Sequence, residues 1–232
     1  MKVLVFCAHA DDEVIGIGGT LRKLADGGAT IRLVMFSEGA EGYSHREEKS
    51  SIIKTRGQEV ARVCEILGIQ EYHNLGLLDW NLKVDNSSYR EVVGHIRQFQ
   101  PDVVFTHSRA DYNDHMAVHG VATEGWFHAA IPCAMETDPV WKLVPLYEFE
   151  VLEPIANPSV IVDISDTYEA KVEAMKMHAS QHELVGGVFQ LIEGRALERG
   201  FLIGVQYGEA LLRSHYRPRA VGNVEVLAEK EH

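Results

Sequence analysis

The sequence has few cysteines and lacks any long apolar run. Its three cysteines are far apart in a chain of 232 residues and form no C-x-x-C pair, which is typical of a reducing compartment rather than of a disulfide framework. No stretch approaches the roughly 20 apolar residues that cross a bilayer, and the first apolar run is too short for a signal peptide. We therefore expect a cytoplasmic protein without a membrane span.

Basic residues are also scarce. There are 22 Lys and Arg against 34 Asp and Glu, which gives a formal net charge of −12. A nucleic-acid-binding protein needs a basic face, so nucleic acid is excluded as the expected partner. The chain has no internal repeat, low-complexity tract or linker. We expect one domain over residues 1–232, with residues 217–232 as a frayed polar tail.

Short β-rich runs alternate with longer helical segments along the chain. This alternation predicts βαβ units and therefore a Rossmann-like α/β fold, with three layers and a mostly parallel sheet. Strands are expected at residues 3–7, 30–36, 71–75, 102–106, 143–151 and 159–164. Helices are expected at residues 17–26, 51–67, 89–99, 115–130 and 166–178, with the end of another at 193–200, and Ser87 or Ser88 can cap the third of them.

Four polar loops follow the predicted strands. They read AHADDE at 8–13, SEGAEG at 37–42, GLLDWN at 76–81 and HSRADYNDH at 107–115. Right-handed crossovers bring the carboxyl ends of parallel strands to one edge of the sheet. The topology therefore predicts that these loops surround a single crevice.

The first loop carries the residue types of a metal site. His9 and Asp12 are three residues apart on the turn that leaves a strand, so both side chains can point at one cation. Imidazole nitrogen and carboxylate oxygen are ligands of catalytic zinc. Asp11 lies between them and is free to act as a general base toward a metal-bound water. By itself, the stretch is also compatible with a solvated turn in which Asp11 or Asp12 caps the next helix.

AHADDE resembles the AHPDDE signature of the PIG-L (LmbE-like) family of zinc-dependent N-deacetylases. Further matching stretches follow in order: GGT at 18–20, Arg56 with Glu59, VVFTHS and DYNDH at 103–115, IVDIS at 161–165, HASQ at 178–181 and GVQYGEA at 204–210. The resemblance covers most of the chain. It implies a hydrolase that removes an N-acetyl or small N-acyl group from a small-molecule N-acetylated sugar or glycoconjugate.

The resemblance also assigns the metal site. His9, Asp12 and His115, the second histidine of the family's HPDH motif, are implied as ligands of Zn²⁺, and a site with two nitrogens and one oxygen accepts Fe²⁺ as well. Asp11 is implied as the general base. Asp114, which precedes His115, belongs to the implied catalytic group.

The chain departs from the family at that second motif, where HPDH reads YNDH. Tyr112 stands in the place of the first histidine, which in relatives is thought to stabilise the oxyanion or protonate the leaving amine. Tyr112 can donate a hydrogen bond to an oxyanion. His178, expected at the pocket rim as a substrate-binding residue, and Asp11 are the other candidates for the general acid, and the sequence does not choose among them.

Other residues have two interpretations each. Arg56 matches a family arginine that reaches into the substrate pocket, and its alternative is a surface arginine paired with Glu59 or Glu48. His119 follows His115 at helical spacing, but no glutamate stands as in H-E-x-x-H, which favours a supporting role. The glycines of GIGGT at 16–20 lack the third glycine of a dinucleotide fingerprint, so we expect them to allow close helix packing.

Two further functions remain open from the sequence. One is a related metallohydrolase that acts on a non-sugar amide or an N-formyl substrate. The other is a catalytically impaired metal- or sugar-binding protein, against which the unligated Asp11 argues. Edge strands in the expected sheet are compatible with a homo-oligomer.

Overall fold

The computed structural model describes residues 1–135 and 139–214, which form a seven-stranded sheet between two helical layers. The predicted tail at 217–232 lies outside the described residues. The strands are β1 Lys2–Cys7, β2 Thr30–Ser37, β3 Glu71–Leu77, β4 Val103–His107, β5 Leu146–Phe149, β6 Val160–Asp163 and β7 Gly208–Arg213. The helices are α1 Asp12–Asp26, α2 Ile52–Leu67, α3 Asn86–Phe99, α4 Asn113–Ala129, α5 Tyr168–Met177, α6 His182–Val185 and α7 Val188–Ile203.

The sheet has the strand order β3-β2-β1-β4-β5-β7-β6. All pairs from β3 to β5 are parallel, whereas β7 runs antiparallel to both β5 and β6. One apolar core lies beneath α1, α2, α5 and α7, and the other lies beneath α3 and α4. The three-layer, mostly parallel fold expected from the sequence is confirmed, although β7 was not expected as a strand.

The strand order reverses at β1. β1 pairs with β2 on one side and with β4 on the other, so the chain moves outward in both directions from this strand. In open α/β sheets such a switch point leaves a crevice at the carboxyl ends of the strands. His9 follows β1 and His115 follows β4, so the fold alone brings the two expected ligands to this crevice.

Helix α1 begins at Asp12, five residues before the expected start, and it is broken in the middle. Ile17 has φ −139° and ψ 22°, which are not helical values. A break in a helix leaves backbone donors and acceptors without their usual partners. The glycines after the break allow close packing, because a Cβ on Gly19 would lie 2.8 Å from Ile164. This agrees with the packing interpretation of the glycine cluster.

Two buried charged residues supply partners for the broken helix. Glu209 on β7 accepts hydrogen bonds from the backbone nitrogens of Gly19 (3.0 Å) and Thr20 (2.7 Å). Lys171 on α5 donates to the carbonyl of Ile15 (2.8 Å) and to Glu209 (2.6 Å). We call Lys171 and Glu209 the kink clamp, because together they bind the backbone on both sides of the break.

Other boundaries differ by a few residues from the expected ones. Helix α3 begins at Asn86, and its cap is Asp85, whose Oδ1 accepts from the backbone nitrogens of Ser87 and Ser88. The N-cap is therefore Asp85 and neither serine, although Ser88 completes a capping box by accepting from the backbone nitrogen of Asp85 (3.2 Å). An aspartate in extended conformation before a helix is an equally good cap. Helix α4 begins two residues early and includes His115 in its first turn. In the described part of the chain, no helix is long and apolar enough to span a membrane.

Candidate metal centre

A cleft of about 190 Å³ opens at the carboxyl ends of β1 to β5. Each of the four loops expected to share a crevice contributes to its lining, through His9, Glu41, Asp79 and Tyr112 among others. The loop after β5 and the segment around α6 complete the wall. These last two elements were not anticipated, because the patterns beyond residue 132 are weak.

Three side chains converge at the floor of this cleft. One ligand atom from each of His9, Asp12 and His115 lies within 4.8 Å of the other two. His115 Nε2 is 3.1 Å from Asp12 Oδ1, and His9 Nδ1 is 3.7 Å from Asp12 Oδ2. Asp12 and His115 are almost completely buried. Residues 106 positions apart in the sequence therefore form one compact group.

The group fits a divalent cation. Neither imidazole nitrogen of His115 makes a hydrogen bond of acceptable geometry with any described residue, although both are buried. An unsatisfied buried polar atom normally has a cation, water or ligand as its partner. Two imidazoles and one carboxylate are also the donor set of many catalytic zinc sites, which keep a further position open.

Carboxylates behind the group orient both imidazoles. Asp114 Oδ2 is hydrogen-bonded to His9 Nε2 (3.1 Å), whereas Asp111 Oδ1 is 3.3 Å from His115 Nδ1, within ion-pair distance but outside hydrogen-bond geometry. In metal sites such carboxylate–histidine pairs fix the ring orientation and the tautomer. They leave His9 Nδ1 and His115 Nε2 directed toward Asp12. Asp114 therefore contacts the centre through His9, and it does not line the cleft itself.

His107 belongs to the same cluster, and sequence reasoning gave it no role. Its Nε2 accepts a hydrogen bond from the backbone nitrogen of Ala8 (2.9 Å), and its ring stacks on His115 with centroids 4.1 Å apart. Burial and the neighbouring charge of His115 lower the pKa of His107 to about 4. A neutral imidazole thus supports His115 from behind. A histidine at the end of a buried strand gives no signal of this contact in the sequence.

The charges of the centre favour a cation. Burial lowers the pKa of His115, but the Asp12 and Asp111 carboxylates outweigh it and raise the pKa to about 10. Burial likewise raises the pKa of Asp12, and the positive charge of His115 outweighs it and holds that pKa well below its usual range. Asp12 therefore stays ionised, and the positive charge that it attracts can be a proton or a metal ion.

Asp11 faces the cleft but is not one of the three converging residues. Its backbone φ of 136° is unusual for a residue with a side chain, and such strain is concentrated at functional sites. Glu13 accepts a hydrogen bond from its backbone nitrogen. Burial and the adjacent Asp12 raise the pKa of Asp11 to about 6, against the opposing effect of Arg56. A carboxylate with these properties can both accept and return a proton.

Tyr112 lies at the rim of the same cleft. Its hydroxyl is 2.9 Å from His9 Nδ1, and its ring stacks on that imidazole. Burial and the nearby aspartates raise its pKa, so the hydroxyl stays protonated. The residue that replaces the first histidine of the family motif therefore brings a hydrogen-bond donor to the metal centre.

Arg56 lines the cleft but points at the turn before α1. Its Nη2 donates to the carbonyl of Ala10 (2.7 Å) and lies 4.0 Å from Asp11 Oδ1. Glu59, the alternative partner considered for it, instead accepts two hydrogen bonds from Ser180. The surface interpretation of Arg56 was wrong, since the residue is buried.

His178 does not lie at the pocket rim, and that expectation was wrong. The residue has no exposed surface, and its Nε2 is 3.2 Å from Glu13 Oε1. Glu13 in turn holds the backbone of Asp11. His178 therefore supports the turn from behind. His119 is also outside the converging group, and its Nδ1 lies 3.0 Å from the carbonyl oxygen of His107.

The chain is similar to a described sequence family, to characterised enzymes and to a solved structure. Residues 4–126 match the sequence family described as "PIG-L: GlcNAc-PI de-N-acetylase". The chain is 29% identical to the diacetylchitobiose deacetylase of Thermococcus kodakarensis, over 90% of this chain and 82% of that protein. It is 27% identical to the 4-oxalmesaconate hydratase of Pseudomonas putida, over 86% and 80% of the two chains. The solved N,N'-diacetylchitobiose deacetylase of Pyrococcus horikoshii superposes with a TM-score of 0.86 at 25% identity, covering 95% of this chain and 87% of that one. The family match to residues 4–126 covers more than half of the chain, and the chain therefore belongs to the PIG-L family.

Proposed function

We propose that the protein is a metal-dependent N-deacetylase that releases acetate from an amino-sugar-containing small molecule. The observation that carries this proposal is the convergence of His9, Asp12 and His115 beside an unligated Asp11 in one cleft. The same cleft chemistry suits the deacetylases to which the chain is similar. A pure binding protein has no use for the strained, unligated carboxylate.

The metal we propose is Zn²⁺, held by His9, Asp12 and His115, and the same donors accept Fe²⁺. When bound there, the ion would polarise the substrate carbonyl and acidify a water molecule. Asp114 and Asp111 would hold the two imidazoles in the tautomers whose facing nitrogens carry no proton and can bind the ion.

The protein's own residues would then carry the proton. Asp11 takes a proton from the attacking water, whose oxygen bonds to the carbonyl carbon of the substrate. Tyr112 donates a hydrogen bond to the resulting oxyanion of the substrate. The protonated Asp11 returns the proton to the amide nitrogen as the carbon–nitrogen bond breaks, and acetate and a free amine leave. Arg56 keeps Asp11 in place through Ala10.

This assignment gives Arg56 and His178 indirect roles. Arg56 has its guanidinium engaged by the turn that carries Asp11, so it acts as a positioning residue with one edge toward the substrate. His178 is too deeply buried to reach a sugar, and it acts through Glu13. Three residues were candidates for the general acid. Tyr112 is assigned to the oxyanion and His178 cannot reach the substrate, so we propose Asp11.

The test is acetate release from a panel of N-acetylated amino sugars and glycoconjugates, measured with an enzyme-coupled acetate assay. We expect hydrolysis that stops after chelation and returns with added Zn²⁺ or Fe²⁺. The Asp12→Asn variant, which lacks one proposed ligand, is expected not to recover with metal at the same concentration. Metal-loaded protein that releases no acetate from any member of the panel contradicts the proposal.

A hydratase is the second candidate, because a 27% identical relative is named 4-oxalmesaconate hydratase. Hydration of a carbon–carbon double bond also uses an activated water and a general base. The loss of ultraviolet absorbance from 4-oxalmesaconate measures this activity directly. Turnover of that acid without acetate release would replace the deacetylase proposal with this one.

We also propose a cytoplasmic location, supported by three cysteines that are all free thiols. Self-association remains a prediction from the sequence. Analytical ultracentrifugation of the purified chain checks it.

A further inference from the structure

Trp80 is the most exposed large apolar side chain in the described part of the protein. Its side chain has 83% of its surface accessible, yet it stands at the mouth of the metal cleft. Single exposed apolar side chains are ordinary on protein surfaces, so exposure alone does not indicate a ligand. Its position next to the proposed reaction site indicates a ligand.

The loop holds Trp80 in a fixed and strained conformation. Its φ of 62° lies in the left-handed region, which residues with a side chain seldom adopt. Its backbone nitrogen donates to Asp114 Oδ2 (2.8 Å), the same oxygen that faces His9. On its other side, Asp79 accepts hydrogen bonds from Ser37 Oγ and from the backbone nitrogen of Glu41. The indole is thus presented on a loop that is tied to the metal centre.

A second depression adjoins the cleft at this point. It is lined by Trp80, Tyr112, Asn113 and Asp114, and the first two of these also line the cleft. A substrate whose reacting group lies beside Asp11 can therefore continue outward between two aromatic side chains. A pyranose ring has an apolar face of C–H groups that packs on an aromatic ring.

The charges around the cleft favour a substrate that is uncharged beyond its reacting group. Glu41 and Asp79 line the wall on the side of Trp80. Arg56, the one arginine in the described lining, lies beside the turn of Asp11, where its Nη2 donates to the Ala10 carbonyl. An anionic group beside Trp80 would therefore meet Glu41 and Asp79, whereas the cations of the cleft, Arg56 and the proposed metal ion, lie beside Asp11.

We propose that Trp80 and Tyr112 form an aromatic subsite for the second pyranose ring of a neutral glycan, whose N-acetylated first ring reacts at the metal centre. This inference rests on the proposed deacetylase function. It specifies the substrate as a disaccharide or longer glycan rather than a monosaccharide or an anionic conjugate.

The test compares kcat/KM for N,N'-diacetylchitobiose with that for N-acetylglucosamine, from initial rates of the first acetate released. The ratio of the two values is taken within each protein, so effects on the shared chemistry cancel. In the wild type we expect the ratio to exceed about ten. In Trp80→Ala it should fall by about tenfold, mainly through KM, and Trp80→Phe should keep most of it because an aromatic face remains.

Phe201→Ala is the matched control, because Phe201 is equally exposed at 82% but lies on α7, outside the cleft lining. We expect its ratio to equal that of the wild type. Both Trp80 variants keep the backbone nitrogen that binds Asp114, so they should fold, and circular dichroism checks this. A wild-type ratio near one, or a ratio that Trp80→Ala leaves unchanged, overturns the subsite while acetate release itself still supports the deacetylase.

A third substrate, N-acetylglucosaminyl malate, tests the charge argument. We expect kcat/KM for this anionic conjugate to be at least about tenfold below that for the neutral disaccharide. The deficit should shrink as salt is added, since screening weakens the repulsion from Glu41 and Asp79. Equal values for the two substrates at low salt would contradict a neutral-glycan subsite.

Discussion

Two groups of charged residues lie along helix α1, and they differ in how many of their polar atoms are hydrogen-bonded. At the amino end lies the metal centre, with His9, Asp12 and His115. Along its middle lies the kink clamp of Lys171 and Glu209. Asp12, His115, Lys171 and Glu209 are almost completely buried, and His9 is partly exposed to the cleft. In the clamp, the lysine binds a carbonyl and a carboxylate, and the glutamate binds two backbone nitrogens and the lysine. At the centre, His115 has two nitrogens without a hydrogen bond to any described residue.

This difference separates a structural charge cluster from a functional one. Buried charges that are fully hydrogen-bonded hold backbone in place and have no capacity left for a ligand. Buried polar atoms that remain unsatisfied beside an open cleft are available to a cation or a substrate. Variants that remove one charge from each group should therefore affect different properties.

The largest expected effect is the loss of turnover in Asp11→Asn. The substitution removes the proposed general base, so kcat should fall by about 10²–10⁴-fold. The free energy of unfolding should not fall, because a buried carboxylate beside Asp12 is replaced by a neutral amide of the same shape. Steady-state acetate release, metal analysis and urea unfolding measure the three quantities. Asp11 is not the base if the variant, with its full metal content, keeps wild-type kcat.

The next effect is on stability, in Glu209→Gln. The variant leaves Lys171 buried without its negative partner, which should lower the free energy of unfolding by about 3–5 kcal/mol. Urea unfolding monitored by circular dichroism measures it, and the folded fraction should keep its metal. Glu173→Gln is the matched control, since it removes the same charge from an exposed pair with Lys176 and should change stability by less than about 0.5 kcal/mol. Equal losses in both variants would show that the clamp charge has no special role.

The sequence predicted the metal centre better than the kink clamp. His9 and Asp12 are three residues apart, and the order of the strands brings His115 to the same sheet edge, so short-range spacing and topology were sufficient to group them. The two clamp residues meet Gly19 and Thr20 from up to 190 positions away. No local pattern indicates such a contact, and none indicates that Ile17 breaks the helix.

The same limit explains the other differences. The edge of the sheet at β7 is antiparallel and short, so the βαβ alternation that predicts the parallel strands does not extend to it. The burial of His178 and the support that His107 gives to His115 are side-chain contacts made only after the sheet and helices have packed. Periodicity and motif spacing carry no information about either.

A smaller effect is expected on metal affinity, in Asp114→Asn. The carboxylate orients His9 from behind, and loss of such a partner typically weakens metal binding by about 10–100-fold. Competition with a chromophoric chelator measures the dissociation constant. Asp102→Asn offers a control, because Asp102 accepts a backbone hydrogen bond from Lys2 far from the cleft and should leave the affinity unchanged. Wild-type affinity in Asp114→Asn would mean that Tyr112 alone orients His9.

The smallest effect separates charge from backbone support within the kink clamp. Replacing both partners, as in Lys171→Met with Glu209→Leu, removes the uncompensated charge that destabilises Glu209→Gln. The double variant should therefore regain part of the lost stability. It cannot regain all of it, because the backbone groups of Ile15, Gly19 and Thr20 lose their partners, at a cost of about 1–3 kcal/mol for each group that water does not reach. Urea unfolding of the single and double variants gives the comparison. If the double variant is as unstable as Glu209→Gln, the clamp stabilises α1 through hydrogen bonds to its broken backbone, and the pairing of opposite charges contributes little.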